Sequence, residues 1–136
     1  MVRFHQKAVK EMEKKNKTSN LTRGRWGEDK AADYLSSKGL TIIDRNYSTK
    51  IGELDIVASD GTCLIFAEVK TRTRTDKGLP AQFVSKAKMR RIALTAEIFR
   101  KAHPELYKYQ PRFDIVEVLG LDSGVYIRHI ENAFSW

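Results

Sequence analysis

The sequence is poor in the residues that build disulfides, zinc sites and membrane spans. Cys63 is the one cysteine among 136 residues. It cannot pair internally, and no Cys-x-x-Cys spacing offers a zinc site. Set in an apolar run, it reads as a buried, reduced thiol. His5, His103 and His129 are scattered without metal-ligand spacing and read as structural or surface residues. Serine and threonine occur without a partnered histidine, so nucleophilic catalysis has no support. No run approaches the roughly 20 apolar residues of a membrane span, and the basic, polar first residues lack the apolar segment of a signal peptide. These absences lead us to expect a cytoplasmic protein with no membrane partner. No internal repeat or low-complexity segment is visible.

Acidic residues are scarce in one place. The chain carries 25 Lys and Arg against 17 Asp and Glu, a net charge of +8. From Lys70 to Lys101 the basic residues are Lys70, Arg72, Arg74, Lys77, Lys86, Lys88, Arg90, Arg91, Arg100 and Lys101, opposed only by Asp76 and Glu97. That is ten against two, again +8, so the positive charge is concentrated in this stretch. A field of one sign attracts polyanions. Nucleic acid is the commonest such partner, and an anionic membrane surface is the weaker reading.

Hydrophobic residues make up 41% of the chain, an ordinary globular share, and the length suits one domain. Residues 1–20 stand apart as a basic tail or short helix. Phe4, Ala8 and Met12 recur at a spacing of four, and a frayed end is the alternative. Residues 21–136 read as a single domain. Thr22–Lys38 reads as a helix capped by Asn20 or Thr22, with Trp26, Ala31, Tyr34 and Leu35 on its buried stripe and Gly39 ending it. Strand-like runs follow at Leu40–Tyr47, Glu53–Ser59 and Thr62–Thr71. Pro80–Ala102 reads as a second helix with Val84, Ala87, Ile92, Ala96 and Phe99 as its apolar stripe, and Pro104 lies beyond its end. Arg112–Leu119 and Gly124–Ile130 are two further strand runs. This order is that of an α/β domain with a mixed sheet.

The dipeptide Asp60-Gly61 between the second and third runs is a hairpin signal. As a two-residue turn it sets Glu53 opposite Glu68 and Asp55 opposite Phe66. Asp55 and Glu68 are then diagonal neighbours roughly 7–8 Å apart. Lys70 points to the same face. That face holds Glu53, Asp55, Glu68 and Lys70 among Val57, Leu64 and Phe66. The opposite face, with Leu54, Ile56, Ala58, Cys63, Ile65, Ala67 and Val69, is core. Carboxylates this close repel unless a cation or proton intervenes, and a hard cation such as Mg²⁺ takes oxygen ligands. Glu53 alone reads as a solvated charge, and Lys70 has the alternative of a salt bridge to Glu53 or Glu68. Asp114, on the fourth strand run, is only a candidate for facing inward.

Gly52-Glu53-Leu54-Asp55-Ile56-Val57-Ala58, followed by Phe66-Ala67-Glu68-Val69-Lys70, resembles the active-site hairpin of PD-(D/E)xK nucleases. Gly27-Glu28-Asp29-Lys30-Ala31-Ala32 with Tyr34-Leu35, that hairpin, and the C-terminal His129-Ile130-Glu131-Asn132-Ala133-Phe134 together resemble the bacterial YraN-like family. The resemblance runs from about Thr22 to Phe134. Leu54 departs from it, standing where the motif name has proline. The resemblance implies a restriction-endonuclease-like αβββαβ core with a mixed β-sheet flanked by helices, related to archaeal-type Holliday-junction resolvases. It implies Asp55 and Glu68 as ligands of Mg²⁺ or Mn²⁺, and Lys70 as the residue that orients water or stabilises charge at the phosphate. Glu28 matches the first-helix acid of resolvase-like nucleases. Gln82 matches, more weakly, a glutamine that some of these enzymes place on the following helix, with a surface or capping role as the alternative.

The expected activity is metal-dependent hydrolysis of DNA phosphodiesters, with branched or single-stranded DNA among the candidate substrates. A binding module of the same fold without turnover is the alternative, and an RNA-associated factor rests on charge alone. Arg72, Arg74 and Lys77 beyond Lys70, with Lys86, Lys88, Arg90 and Arg91 on the polar side of the second helix, are the expected backbone contacts. Branched-DNA resolvases of this fold work as dimers, which adds a homodimer to the expectations, although no stripe in the sequence marks the interface.

Overall fold

Among the described residues, two helices cover opposite faces of one five-stranded sheet. In chain order the elements are α1 (Asn20–Ser37), β1 (Thr41–Ser48), β2 (Glu53–Ser59), β3 (Cys63–Arg72), α2 (Lys86–Ala102), a 3-10 turn (Pro104–Leu106), β4 (Gln110–Leu121) and β5 (Gly124–Phe134). The sheet order is β1-β2-β3-β4-β5. The β3–β4 pair is parallel and the others are antiparallel. A parallel pair needs a long crossover, and α2 lies in it. This α/β arrangement is compatible with the expected αβββαβ restriction-endonuclease-like core, with β5 added at one edge. The computed structural model describes residues 20–72, 84–121 and 123–136, without the side chains of residues 20–23. Residues 1–19, Arg74, Lys77 and Gln82, and the capping side chains of Asn20 and Thr22, lie outside that description. Among the described residues no helix is long and apolar enough to cross a membrane.

The helix α1 buries the expected stripe of Trp26, Ala31, Tyr34 and Leu35, with Ala32 beside it, against Ile56, Ala58, Ile65, Ala67 and Val116 of the sheet. Gly39 ends it at φ 91°, where Leu40 N–H reaches back to the Leu35 carbonyl at 3.1 Å. Only glycine adopts that conformation without penalty. The helix α2 begins later than the expected Pro80. Ser85 caps it by accepting from Lys88 N–H at 3.1 Å, so Lys86 is the first helical residue. Ala87 is therefore exposed, and Ile92, Ala93, Thr95, Ala96 and Phe99 form the buried face. They pack on Val57, Leu64, Phe66, Phe113 and Ile115. Phe99 meets Phe66 edge-on at a centroid distance of 6.1 Å.

Three further expectations are corrected in the strands. The hairpin register is Ile56↔Ala67, Val57↔Phe66, Ala58↔Ile65 and Ser59↔Leu64. The turn is centred one residue later than Asp60-Gly61, because the Asp60 side chain accepts from Thr62 N–H at 2.9 Å and Cys63 N–H at 2.7 Å. Asp60 and Cys63 thus flank Gly61-Thr62, with Gly61 at φ 92°. The shift preserves the faces but sets Asp55 directly opposite Glu68. Leu54 changes sides, packing with Val57 rather than with Ile56. Its partner Tyr47 joins the same cluster, and the alternation breaks beside Asn46, which takes a left-handed φ of 56°. Cys63 is half-buried rather than buried, a free thiol against the α1-side core.

Candidate functional site

The site forms where β2 and β3 part company. Their backbone ladder extends to Ile56↔Ala67. At the next position the Asp55 side chain replaces a backbone acceptor, and Val69 N–H donates to its Oδ2 at 2.8 Å. The strands splay there and leave a cleft of about 450 Å³. Gly24 and Glu28 line it from α1, Asp55 from β2, Glu68, Val69, Lys70 and Thr71 from β3, and Lys88 from α2. The close approach of α1 depends on Gly27, where a β-carbon would run into the Thr71 side chain.

Burial governs the electrostatics. Glu68 is only 5% exposed. Lys88 Nζ lies 2.5 Å from its Oε2, and Lys70 Nζ lies 3.7 Å from the same oxygen. Asp55 is pushed up to about 8, first by burial and then by the charge of Glu68, to which it also hydrogen-bonds. The Val69 N–H pulls in the other direction without prevailing. At neutral pH the metal-free pair therefore holds a proton on Asp55. Burial also raises Glu28, against a hydrogen bond from Asn46 and the charge of Arg45. Lys70 is lowered by burial and by the neighbouring Lys88 ammonium. Burial pulls Lys88 down as well, but its hydrogen bond and attraction to Glu68 outweigh that and raise it. Carboxylate oxygens of Glu28, Glu53 and Asp55 lie within 4.8 Å of one another.

The structure thus brings Asp55, Glu68, Lys70 and Glu28 into one cleft. The alternative for Lys70, a salt bridge to Glu68, is present as well. Lys88 lies in the cleft rather than on a solvated helix face, because it follows the Ser85 cap by three residues and turns toward β3. Arg72 is part of β3 and sits 3.1 Å from the buried Glu117, so it is not a flexible extension. Lys86, Arg90 and Arg91 are exposed on α2. Sequence reasoning missed Asn46. Its only signal was an asparagine inside a strand run, a residue that tolerates left-handed backbone.

The profile of the Uncharacterised protein family UPF0102 matches residues 27–118. The chain belongs to that family. UPF0102 is the YraN family that the motifs resemble. A UPF0102 protein of Syntrophotalea carbinolica is 45% identical over 114 residues, covering 84% of this chain and 92% of its own. One from Caldanaerobacter subterraneus is 42% identical over 124 residues, covering 87% and 98%. One from Dictyoglomus thermophilum is 39% identical over 118 residues, covering 85% and 99%. The UPF0102 match spans Glu28, Asp55, Glu68, Lys70 and Lys88.

Asp114, also within the UPF0102 match, is fully buried on β4 but is not in the cleft. Arg112 grips it with Nε at 2.9 Å and a terminal nitrogen at 2.8 Å. His129 Nε2 lies 2.8 Å away, and Asn132 N–H donates to it at 2.9 Å. These contacts fasten β5 to β4 at the register shift between Phe113 and Ile115. Burial alone would raise Asp114, and these hydrogen bonds hold it below its usual range. The arrangement is a strand clamp, and His129 is structural as expected.

Proposed function

We propose that this UPF0102 protein is a divalent-cation-dependent phosphodiesterase acting on nucleic acid, with DNA ahead of RNA. The observation that carries the proposal is the Asp55–Glu68 pair, a half-buried and a buried carboxylate in mutual contact in a cleft that also presents two lysines. Such a pair is costly without a proton or cation between its members. Its all-oxygen donor set fits a hard ion such as Mg²⁺ or Mn²⁺. Asp55 and Glu68 would hold the ion, with Glu28 beside them. When bound, the ion supplies Lewis-acid polarisation of the phosphate and a lowered pKa for its water.

The protein's own groups do the rest. Val69 N–H fixes the Asp55 carboxylate. Lys70 places positive charge where the phosphate gains negative charge in the transition state. Glu28, steadied by Asn46, is an acceptor for a water at the α1 wall. The exposed Lys86, Arg90 and Arg91 supply a backbone-tracking surface beside the cleft. DNA and a homodimer both enter from the resemblance to branched-DNA resolvases.

The test is cleavage of single-stranded, duplex, flapped and four-way DNA and of RNA with Mg²⁺ or Mn²⁺, with Asp55→Ala purified in parallel. Cleavage that disappears in the variant supports the proposal and identifies the substrate class. Cleavage at the same level in both preparations refutes it. No cleavage, with binding retained by both proteins, leaves a binding module of the same fold. Sedimentation of the full chain with and without four-way DNA tests the dimer.

A further inference from the structure

We infer that Lys88 is an internal counter-ion of the site. In the metal-free protein its ammonium occupies the Glu68 carboxylate. A divalent cation displaces it, and the freed ammonium turns to the phosphate backbone. The inference rests on the reading of Asp55 and Glu68 as cation ligands and adds a device that governs access to them.

Three observations support it. First, Lys88 lies on a carboxylate oxygen of Glu68 at 2.5 Å, closer than Lys70 at 3.7 Å. Second, the pair is unequal in burial: the Glu68 side chain is 5% exposed and that of Lys88 37%. A buried carboxylate cannot be left without a cationic partner, whereas a lysine with a flexible stem and partial access to water can leave. Exchange of ammonium for metal keeps Glu68 compensated throughout. Third, Lys88 sits where helix energetics disfavour it. The first turn of α2 has no acidic residue, and a cation at a helix N-terminus opposes the macrodipole. Helix stability therefore gives no reason for a lysine there, while its contact with Glu68 does. The neighbouring cations Lys86, Arg90 and Arg91 are exposed. Among the described residues Lys88 is the one basic side chain that α2 contributes to the cleft.

Calorimetric titration of Mn²⁺ and Mg²⁺ into the full chain tests this with Lys88→Met, Lys88→Gln and Lys101→Ala. The last makes the same charge change at the far end of α2. The Lys88 variants should bind the ions roughly tenfold tighter, the change that corresponds to about 1.4 kcal/mol of removed competition, and Lys101→Ala should match the wild type. A second readout needs no variant. Acetylation of the Lys88 amine, followed by mass spectrometry, should quicken several-fold when Mn²⁺ is added, while that of Lys101 stays constant. Wild-type affinity in both Lys88 variants, or an Mn²⁺-independent acetylation rate, overturns the inference while leaving the cation site intact. A wild-type chain that binds neither ion overturns the reading of the site and the inference with it.

Discussion

Asp55→Asn should make the metal-free protein more stable, and the gain should depend on pH in a defined way. The folded state holds a proton on Asp55 up to about pH 8, whereas the ordinary value is 3.8. The native state therefore binds more protons than the unfolded chain in that window. Stability falls as pH rises from about 4 to about 8 and is flat above it. From 3.8 to 7 is roughly three units at about 1.4 kcal/mol each, or about 4 kcal/mol. This figure is a ceiling, because Glu68 shares the repulsion and relaxes part of it. Asparagine escapes the penalty, keeps an oxygen for Val69 N–H and offers an amide to Glu68. Urea denaturation in EDTA should show the variant ahead by up to about 1.5 kcal/mol at pH 5 and up to about 4 kcal/mol at pH 7, with no further growth above pH 8. A variant that loses more than about 1 kcal/mol at pH 7 would refute the reasoning and identify an ionised Asp55 as the anchor of β3. Mn²⁺ added at about a hundred times its dissociation constant should then raise the wild type alone, by about 2.7 kcal/mol.

Arg112→Ala should cost about 3–5 kcal/mol in thermal or urea unfolding, since it strips the bidentate partner from the fully buried Asp114; a cost below about 1 kcal/mol would mean that His129 and Asn132 suffice. Because Asp114 is held below its usual range, its contribution should be present above about pH 4 and fade below it, so acid unfolding of Asp114→Asn should lack that step. Gly27→Ala should destabilise by about 1–3 kcal/mol through overpacking on Thr71, and Thr71→Ala should offset part of that loss in a double-mutant cycle. Lys86→Gln with Arg90→Gln should reduce the salt slope of DNA binding by roughly two, at about 0.9 per phosphate contact. An unchanged slope would remove the outer face of α2 from the interface.

Much of this molecule was legible from local pattern. The α1 stripe, the Gly39 stop, the order of strands and the shared face of Asp55, Glu68 and Lys70 follow from periods of 3.6 and 2.0, which short stretches of chain carry by themselves. Apart from Leu54, the faces survived even the wrong turn centre, because the register moved by two, the period of the strand. What failed locally was the choice between Asp60-Gly61 and Gly61-Thr62. That choice was made by the Asp60 carboxylate binding two amides, a side-chain contact that turn statistics do not weigh.

The sequence by itself determined the composition of the site: which carboxylates and lysines stand on β2 and β3, and that positive charge follows them. The tertiary structure decided how those groups meet. The splay of β2 from β3, the left-handed Asn46 and the close passage of Gly27 over Thr71 made a cleft out of what would otherwise be a continuous ladder. The Ser85 cap set where α2 begins, and so carried Lys88, 20 residues beyond Glu68, onto the buried carboxylate. Burial then decided the charge states, because desolvation and the Asp55–Glu68 contact depend on atoms distant in sequence. No local period encodes that proximity.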